Sequence, residues 1–417
     1  MSDTSYMDPP IEIAATGTRL KIIAARLRTG GMRPYEATDI IDFRSTDPLL
    51  VDIASVGVEA LESCRDACMA GLSRPLIILD VANSGLNLSD AITLRRDRDI
   101  PLIKGRLNAM ARRAARALEV KIRTETASDF GAETIALGRQ TPALIFLGQS
   151  SPLFLSLQTA LTARGISLTS ALTWTATREY LTDRRFTAAL LDMTPTDRDS
   201  RILDQFAPGD WLNGLPVVAL IDGHAHQPGD VRSILSQCDD IIECQDSEPA
   251  FVDRIVDLSE KYLVAIPLQP SAATPAGAID RITGLFSRRF LEAHLERQIA
   301  IADTRSEALS VMTLKLIGDQ RADTDALASL ARCAQDLMRE TDCAAVVEPG
   351  TIAVSLPLTT YRGGVQLAKR IATTIAEDDR LAELVLNWRV VEKRAFHTSQ
   401  TFLEAGLTGP FMRLEAA

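Results

Sequence analysis

The strongest constraint in this sequence is a rhythm that occurs twice: four short apolar runs, each followed by residues with helical spacing. The first set is IEIAA (11–15), LLVDI (49–53), PLIILDVA (75–82) and IPLIKG (100–105). The second is ALIFLG (143–148), AALLDM (188–193), PVVALID (216–222) and DDIIEC (239–244). Runs that are apolar at nearly every position suit strands buried on both faces, and alternation with helices builds a covered parallel sheet. After residue 151, Leu153, Leu155, Leu157, Ala160 and Leu161 predict an apolar helix face; Phe251, Ile255, Leu258 and Leu263 predict another over 251–264. The expected fold is therefore α/β, with two flavodoxin-like, doubly wound parallel-sheet modules over 9–128 and 142–265.

The next segment, IPLQPSAATPAGA (266–278), is rich in Pro and Ala and carries no charge, as a semi-extended linker does. From 279 to 417 the pattern changes. It predicts a long helix at 285–300, a strand at 309–317, a helix at 324–340 and a strand pair over 343–356. A helix at 362–376 and a strand at 384–391 complete an α+β domain.

Charge and composition narrow the functional classes. A net charge of −10 argues against nucleic acid or an anionic membrane as the partner, while leaving room for a small anion held by a local arginine cluster. No apolar run approaches the ~18–20 residues needed to span a bilayer. The start of the sequence has no signal-peptide pattern, so the expected location is the cytoplasm. Six scattered cysteines in a chain of this length read as reduced thiols. His224 and His226 read as a polar loop, and Cys64 and Cys68 as packing residues. No metal site is predicted, and no P-loop, HExxH or G-x-S-x-G pattern stands out.

The two modules resemble response-regulator receiver domains. That resemblance implies an aspartate after the third strand that accepts phosphate, an acidic pair for Mg²⁺, a hydroxyl after strand four and a lysine after strand five. In the first module Asp52 falls at the acceptor position and Lys104 at the lysine position. Asp80 replaces the hydroxyl, and IEIAATGT offers no acidic pair. In the second, Asp192 is the only match; Gly148 and Gln149 replace the acidic pair, Ile221 the hydroxyl and Cys244 the lysine. Asp52 is thus the candidate phosphoacceptor, and the second module reads as an adaptor for packing or dimerisation.

In the C-terminal part, DRITGLFSRRFLEAHL (280–295) resembles the DxLTGLxNRR opening of GGDEF (diguanylate cyclase) domains, with Asp280, Thr283, Gly284, Leu285, Arg288 and Arg289 in register. Two receivers followed by such a domain is the order of PleD-type response regulators. The family's two metal-binding carboxylates are absent, since Lys315 stands on the first strand and EPGTI (348–352) takes the place of GGDEF. Gly350 and Thr351 fall at its acidic positions and Pro349 at a glycine. A lysine cannot replace a carboxylate as a Mg²⁺ ligand. No enzyme activity is expected, and catalytic residues are predicted to be none.

One further family motif is present. An RxxD product-binding pair lies just before the hairpin in the family, and DLMRETD supplies Arg339 and Asp342 here; the basic contact on the following helix falls on Arg370. By itself an RxxD is equally what a solvated helix end carries, and it is the register that favours a ligand. Guanine offers N1–H and N2–H₂ donors to a carboxylate, while a guanidinium suits O6, N7 or phosphate oxygens. The resemblance implies cyclic di-GMP as a regulatory ligand, with no cofactor. It also implies a homodimer through the receiver modules and a role in cell-cycle control at the cell pole, with adaptors of regulated proteolysis as protein partners. A phosphorylation-gated regulator reading Asp52 is the second expectation, and a residual cyclase the third.

Overall fold

The computed structural model describes residues 10–37, 47–56, 58–69, 74–81, 91–131, 142–148, 151–183, 186–194, 215–222, 234–235, 238–244, 252–253, 255–256, 276–318, 323–377 and 385–413. The chain divides into two compact units, Met1–Arg113 with Gln140–Val264, and Ala114–Arg139 with Ala265–Ala417. Gln149, the His224/His226 pair, most of the 251–264 helix and most of the 266–278 linker lie outside the described residues.

The first unit holds two parallel sheets. The first is built from β1 (Pro10–Ala14), α1 (Gly17–Thr29), β2 (Arg33–Glu36), β3 (Leu49–Asp52), α2 (Val58–Met69), β4 (Leu76–Leu79) and β5 (Ala91–Leu94), with strand order β2-β1-β3-β4-β5. A long helix, α3 (Ile103–Ser128), follows. The second sheet comprises β6 (Ala143–Leu147), α4 (Pro152–Thr162), β7 (Ser167–Ala171), α5 (Trp174–Asp183), β8 (Ala188–Asp192), β9 (Val217–Ile221) and β10 (Asp240–Glu243), in the order β7-β6-β8-β9-β10. All pairings in both are parallel. Each sheet thus has the 2-1-3-4-5 order of flavodoxin-like folds, which puts the first strand inside and switches the winding direction beside it.

The apolar runs explain the central strands. Every residue of β3, β4, β8 and β9 is buried, as in a sheet covered on both faces, and the only charged residues in these strands, Asp52 and Asp192, stand at strand ends. Helix α4 starts where Ser151 accepts a hydrogen bond from the Phe154 N–H (3.2 Å), with Pro152 in the first turn. It buries Phe154, Leu157 and Leu161. Leu155, expected on that face, is exposed, since it sits to one side of the 154/157/161 stripe.

Three departures concern the first unit. IPLIKG is not a strand: Asp97–Leu102 forms a 3₁₀ turn that leads into α3, and the fifth strand is Ala91–Leu94. Pro101 has a fixed φ and no N–H, which suits a helix entry and not a ladder. The strands β2 and β7 were not anticipated, being short and partly exposed. Finally, the first module does not keep all of 9–128, because residues 114–128 of α3 pack with the second unit. Earlier on that helix, Arg106 Nε is paired with Asp240 Oδ1 (3.0 Å), its Nη2 donates to the Ile241 carbonyl (2.9 Å), and Arg112 is paired with Asp239. These contacts grip β10 at the edge of the second sheet.

The second unit is α+β. After β11 (Phe286–Ser287) come α6 (Arg288–Arg305), β12 (Leu309–Leu316), α7 (Thr324–Leu337), β13 (Cys343–Glu348), β14 (Thr351–Pro357), α8 (Tyr361–Glu377), β15 (Leu386–Glu392), α9 (Ser399–Leu407) and β16 (Met412–Arg413). The sheet order is β11-β13-β14-β12-β15-β16. Strand β12 shows how the layers form: Met312, Leu314 and Leu316 pack with α7 and α8, while Leu309 and Val311 pack with α6 and α9. Ala127 joins the second of these cores. No helix among the described residues is long and apolar enough to cross a membrane.

The DRITGL loop is a closed turn. Asp280 Oδ1 accepts from Ile282 N–H (3.2 Å), Thr283 N–H (2.9 Å) and the Thr283 hydroxyl (2.8 Å), and Gly284 N–H donates to the Asp280 carbonyl (2.9 Å). Gly284 sits at φ +70, where a Cβ would meet no neighbour and the whole penalty is backbone strain. Gly284→Ala is expected to lower the stability of this unit by about 1–2 kcal/mol, read as a lower urea midpoint by the fluorescence of buried Trp388.

Candidate functional site

Helix α7 begins at Asp323, whose carboxylate accepts from the N–H groups of Asp325 (2.8 Å) and Ala326 (3.1 Å), and ends one residue before Met338. The chain then makes the tight Arg339–Asp342 turn into β13. Asp342 N–H donates to the Arg339 carbonyl (3.0 Å), and Asp342 Oδ2 accepts from the Arg339 N–H (2.8 Å). Asp342 is buried and Arg339 exposed. The pair therefore closes its own turn first; the exposed Arg339 side chain has no ion-pair partner among the described residues. Asp342 Oδ1 is buried without a hydrogen-bond partner. Burial pushes the Asp342 carboxyl up to about 6, against the Arg339 N–H and the charges of Arg339 and Arg123; Glu119 adds to the rise. Arg370 is exposed on α8, the helix packed beside α7. No direct contact joins it to Arg339 or Asp342 among the described residues.

Behind the turn lies a buried polar network that sequence reasoning missed. Arg123 Nη2 donates to the carbonyls of Asp342 (2.9 Å) and Glu340 (3.2 Å), and its Nε donates to Glu119 Oε1 (2.6 Å). His294 Nε2 lies 3.0 Å from the same oxygen. Glu119 Oε2 accepts from Gln298 Nε2 (3.0 Å), and Gln298 Oε1 accepts from the Ser355 hydroxyl. Burial would raise the Glu119 carboxyl, but His294 and Arg123 outweigh it and hold it down to about 2. The one sequence signal was the i,i+4 spacing of Glu119 and Arg123, which also describes any solvated helix face.

The positions aligned with the cyclase metal carboxylates meet in space. Lys315 on β12 is directly across from Thr351 on β14. Pro349 and Gly350 form the two-residue hairpin between β13 and β14, and Gly350 at φ +67 has the conformation that a Pro–Gly turn requires at its second position. Lys315 Nζ lies 5.5 Å from the centre of the Phe411 ring, a cation–π contact. Among the described residues no group of three or more His, Cys, Asp or Glu side chains is placed to hold a metal.

In the first module Asp52 is fully buried and bound by Arg19 on α1. Arg19 Nε donates to Asp52 Oδ2 (3.0 Å) and Nη2 to Oδ1 (2.8 Å), while Nη1 and Nη2 donate to Asp97 at 2.7 and 2.9 Å. These hydrogen bonds, to Asp52 first, push the Arg19 guanidinium further up, and Arg19 holds Asp97 below the usual carboxylate range. A bidentate guanidinium occupies both oxygens that a phosphoryl group and its metal would need. Lys104, expected after the fifth strand, instead begins α3 and reaches the Gly31 carbonyl (3.4 Å). The residue after β5 is Arg95, paired with Asp80 (2.6 Å). In the second module Asp192 Oδ1 accepts from Thr194 N–H (3.0 Å) and hydroxyl (2.6 Å). A Cβ at Gly148 would come within 2.6 Å of Asp192 Cβ, so no acidic side chain fits there without a shift.

No family model matches this sequence, and a comparison with curated proteins finds no match. Among solved structures, the chain is similar to the GGDEF domain of PA1120 (TpbB or YfiN) from Pseudomonas aeruginosa, at 22% identity and a TM-score of 0.28, covering 31% of this chain and 83% of that one. It is similar to the GGDEF domain of DgcB from Caulobacter crescentus, solved with c-di-GMP, at 13% identity and 0.28, covering 31% and 85%. A sensory box/GGDEF family protein from Caulobacter crescentus gives 20% identity and 0.28, covering 31% and 92%.

Two outcomes follow from this geometry. Arg19→Ala leaves a buried carboxylate unpaired and is expected to cost ~3–5 kcal/mol in chemical denaturation of the first unit, whereas Asp52→Asn costs less; small phosphodonors are expected to leave no acid-labile phosphate on Asp52. The second is a pH dependence. The fold holds the Asp342 proton more tightly than the unfolded chain, where the carboxyl titrates near 3.8. Its contribution to stability is therefore full below pH ~4 and is lost as pH rises to about 6. Over that window Asp342→Asn is expected to gain on the wild type, by on the order of 3 kcal/mol in urea titrations at each pH.

Proposed function

We propose that this chain is a non-catalytic effector whose C-terminal, GGDEF-like unit binds cyclic di-GMP at the Arg339–Asp342 turn with help from Arg370. The observation that carries this reading is the turn itself. A buried carboxylate orders its backbone and keeps one oxygen unpaired, and an exposed arginine stands beside it with no ion pair among the described residues. Burying a polar oxygen without a partner is costly, so a small opening of the turn that admits a donor to Asp342 Oδ1, with negative charge meeting the exposed Arg339, suits a ligand carrying both. Guanine N–H groups and phosphate oxygens have that combination. Arg370 supplies a second exposed cation on the adjacent helix for the ligand's phosphates.

The hairpin supports the absence of cyclase chemistry. Lys315, directly across from Thr351, is a cation at a position that the resemblance aligns with a metal carboxylate, and the aligned Gly350 and Thr351 carry no carboxylate either. The receiver-like modules then act as scaffold. Arg19 already binds both Asp52 and Asp97, which favours a fixed arrangement over a phosphorylation switch. Docking of polar or proteolytic adaptors, and dimerisation through these modules, belong to the same reading and rest on the family resemblance alone.

Calorimetric titration of the full chain with cyclic di-GMP tests the site. Saturable binding is expected, with Arg339→Ala raising the dissociation constant about 10–100-fold, the loss of a charge-assisted hydrogen bond. Arg370→Ala acts more weakly and its effect fades at high salt. Glu348→Ala, on the hairpin strand, changes little, and incubation with GTP and Mg²⁺ or Mn²⁺ yields no cyclic di-GMP. Absence of saturable binding by the folded wild type refutes the proposal.

A further inference from the structure

The Arg339–Asp342 turn is held from behind by a residue that is distant in sequence. Arg123 lies on α3, and its buried guanidinium divides its donors between two tasks. One edge meets Glu119 through Nε, and Nη2 reaches the carbonyls of Glu340 and Asp342. These carbonyls lie within the turn whose other groups, the Arg339 N–H and the Asp342 carboxylate, close on each other. The turn is therefore clasped between its own carboxylate and an arginine from another helix.

That arginine has little freedom. Glu119 fixes its Nε, and Glu119 is itself fixed by Gln298 of α6, whose carbonyl oxygen accepts from Ser355 of β14. The Arg123 guanidinium carbon is also 5.8 Å from the centre of the Phe286 ring. A second clasp comes from Arg116, two turns earlier on the same face of α3, whose Nε is 3.2 Å from Glu340 Oε2. A rigid planar fork held on three sides is how a supporting residue fixes the geometry of a binding group it does not itself present to ligand.

We propose that Arg123 is a positioning residue for the ligand turn, so that docking of the 114–128 segment and occupancy of the turn form one coupled equilibrium. The proposal rests on the reading of the turn as a cyclic di-GMP site. Coupling is reciprocal: if the docked segment orders the turn for ligand, ligand must tighten the docked segment by the same factor. Without Arg123 two turn carbonyls lose their donor, and Glu119 loses one of the groups that compensate its buried charge. Arg339 would then be free to move with a looser backbone.

The experiment uses the full chain and three variants: Arg123→Gln, which removes charge and fork; Arg123→Lys, which keeps the charge; and Lys121→Ala, at an exposed position of the same helix. Calorimetry with cyclic di-GMP gives the dissociation constant. Amide hydrogen exchange with and without ligand is followed over 114–128 and 339–343, with β12 as internal reference. In the wild type, ligand is expected to slow exchange in both segments. Arg123→Gln is expected to weaken binding about tenfold or more, the loss of hydrogen bonds from a charged group, and to abolish ligand-induced protection over 114–128. Arg123→Lys restores part of both effects, and Lys121→Ala matches the wild type.

Wild-type affinity in folded Arg123→Gln overturns the proposal. So does ligand protection of 339–343 in the wild type with none over 114–128. If the wild type takes up no cyclic di-GMP, the reading of the site fails, and the positioning role is decided on free protein. There, faster exchange over 339–343 in Arg123→Gln with β12 unchanged supports it, and unchanged exchange overturns it. Should Arg123→Gln lose its fold, judged by Trp388 fluorescence, the Arg123→Lys series decides by the same criteria.

Discussion

Glu119 carries a charge into the interior of the second unit, and much of that unit's architecture can be read as the means of keeping it there. An ionised carboxylate away from water costs several kcal/mol unless it is surrounded by compensating groups. Arg123, His294 and Gln298 provide them, and each comes at a structural cost of its own. Arg123 needs a helix to bring it there, Gln298 needs an oxygen partner on β14, and His294 must stack along the row begun by Phe286 and Phe290. The carboxylate thereby sets the mutual placement of a helix segment, a second helix, the sheet and the loop before β13. Apolar packing supplies the gross free energy of this unit, while the ion network selects one packing among the several that an apolar interface tolerates.

The first unit uses the same physics to a different end. Asp52 sits at the carboxyl end of a central parallel strand, the place where such folds collect reactive groups. Arg19 meets it with a planar fork and holds Asp97 as well, so two carboxylates share one guanidinium. Both oxygens of Asp52 accept from the protein's own guanidinium, which makes the position part of the packing.

How far the sequence could be read follows from the range of the interactions involved. Strands β3, β4, β8 and β9 were legible because uninterrupted burial writes itself into consecutive residues. Strands β2 and β7 were not, because an edge strand buries little and its sequence resembles a loop. IPLIKG carried the right composition for a strand, and only Pro101 argued otherwise. In the site, the register of Arg339 and Asp342 was visible, but the direction of the Asp342 carboxylate was not; it points back into its own turn. Partners separated by long stretches of chain, such as Arg19 with Asp97 or Arg123 with the 340–342 carbonyls, leave no local trace at all. The resemblance put Lys315 and Thr351 on neighbouring strands, but their direct pairing left no local trace, because a helix and β13 separate β12 from β14.

The membership of residues 114–128 in the second unit has a consequence for synthesis. The ribosome makes that helix segment before the whole second parallel sheet, while its partners on α6 begin at residue 288. At ~5–20 residues per second, roughly 10–30 s separate the emergence of Glu119 and Arg123 from that of His294 and Gln298. During that interval Ala127 and the future buried face are exposed to solvent and to chaperones. Vectorial folding of the N-terminal half therefore ends with one surface unfinished, and the last third of the chain completes a core that the first third began.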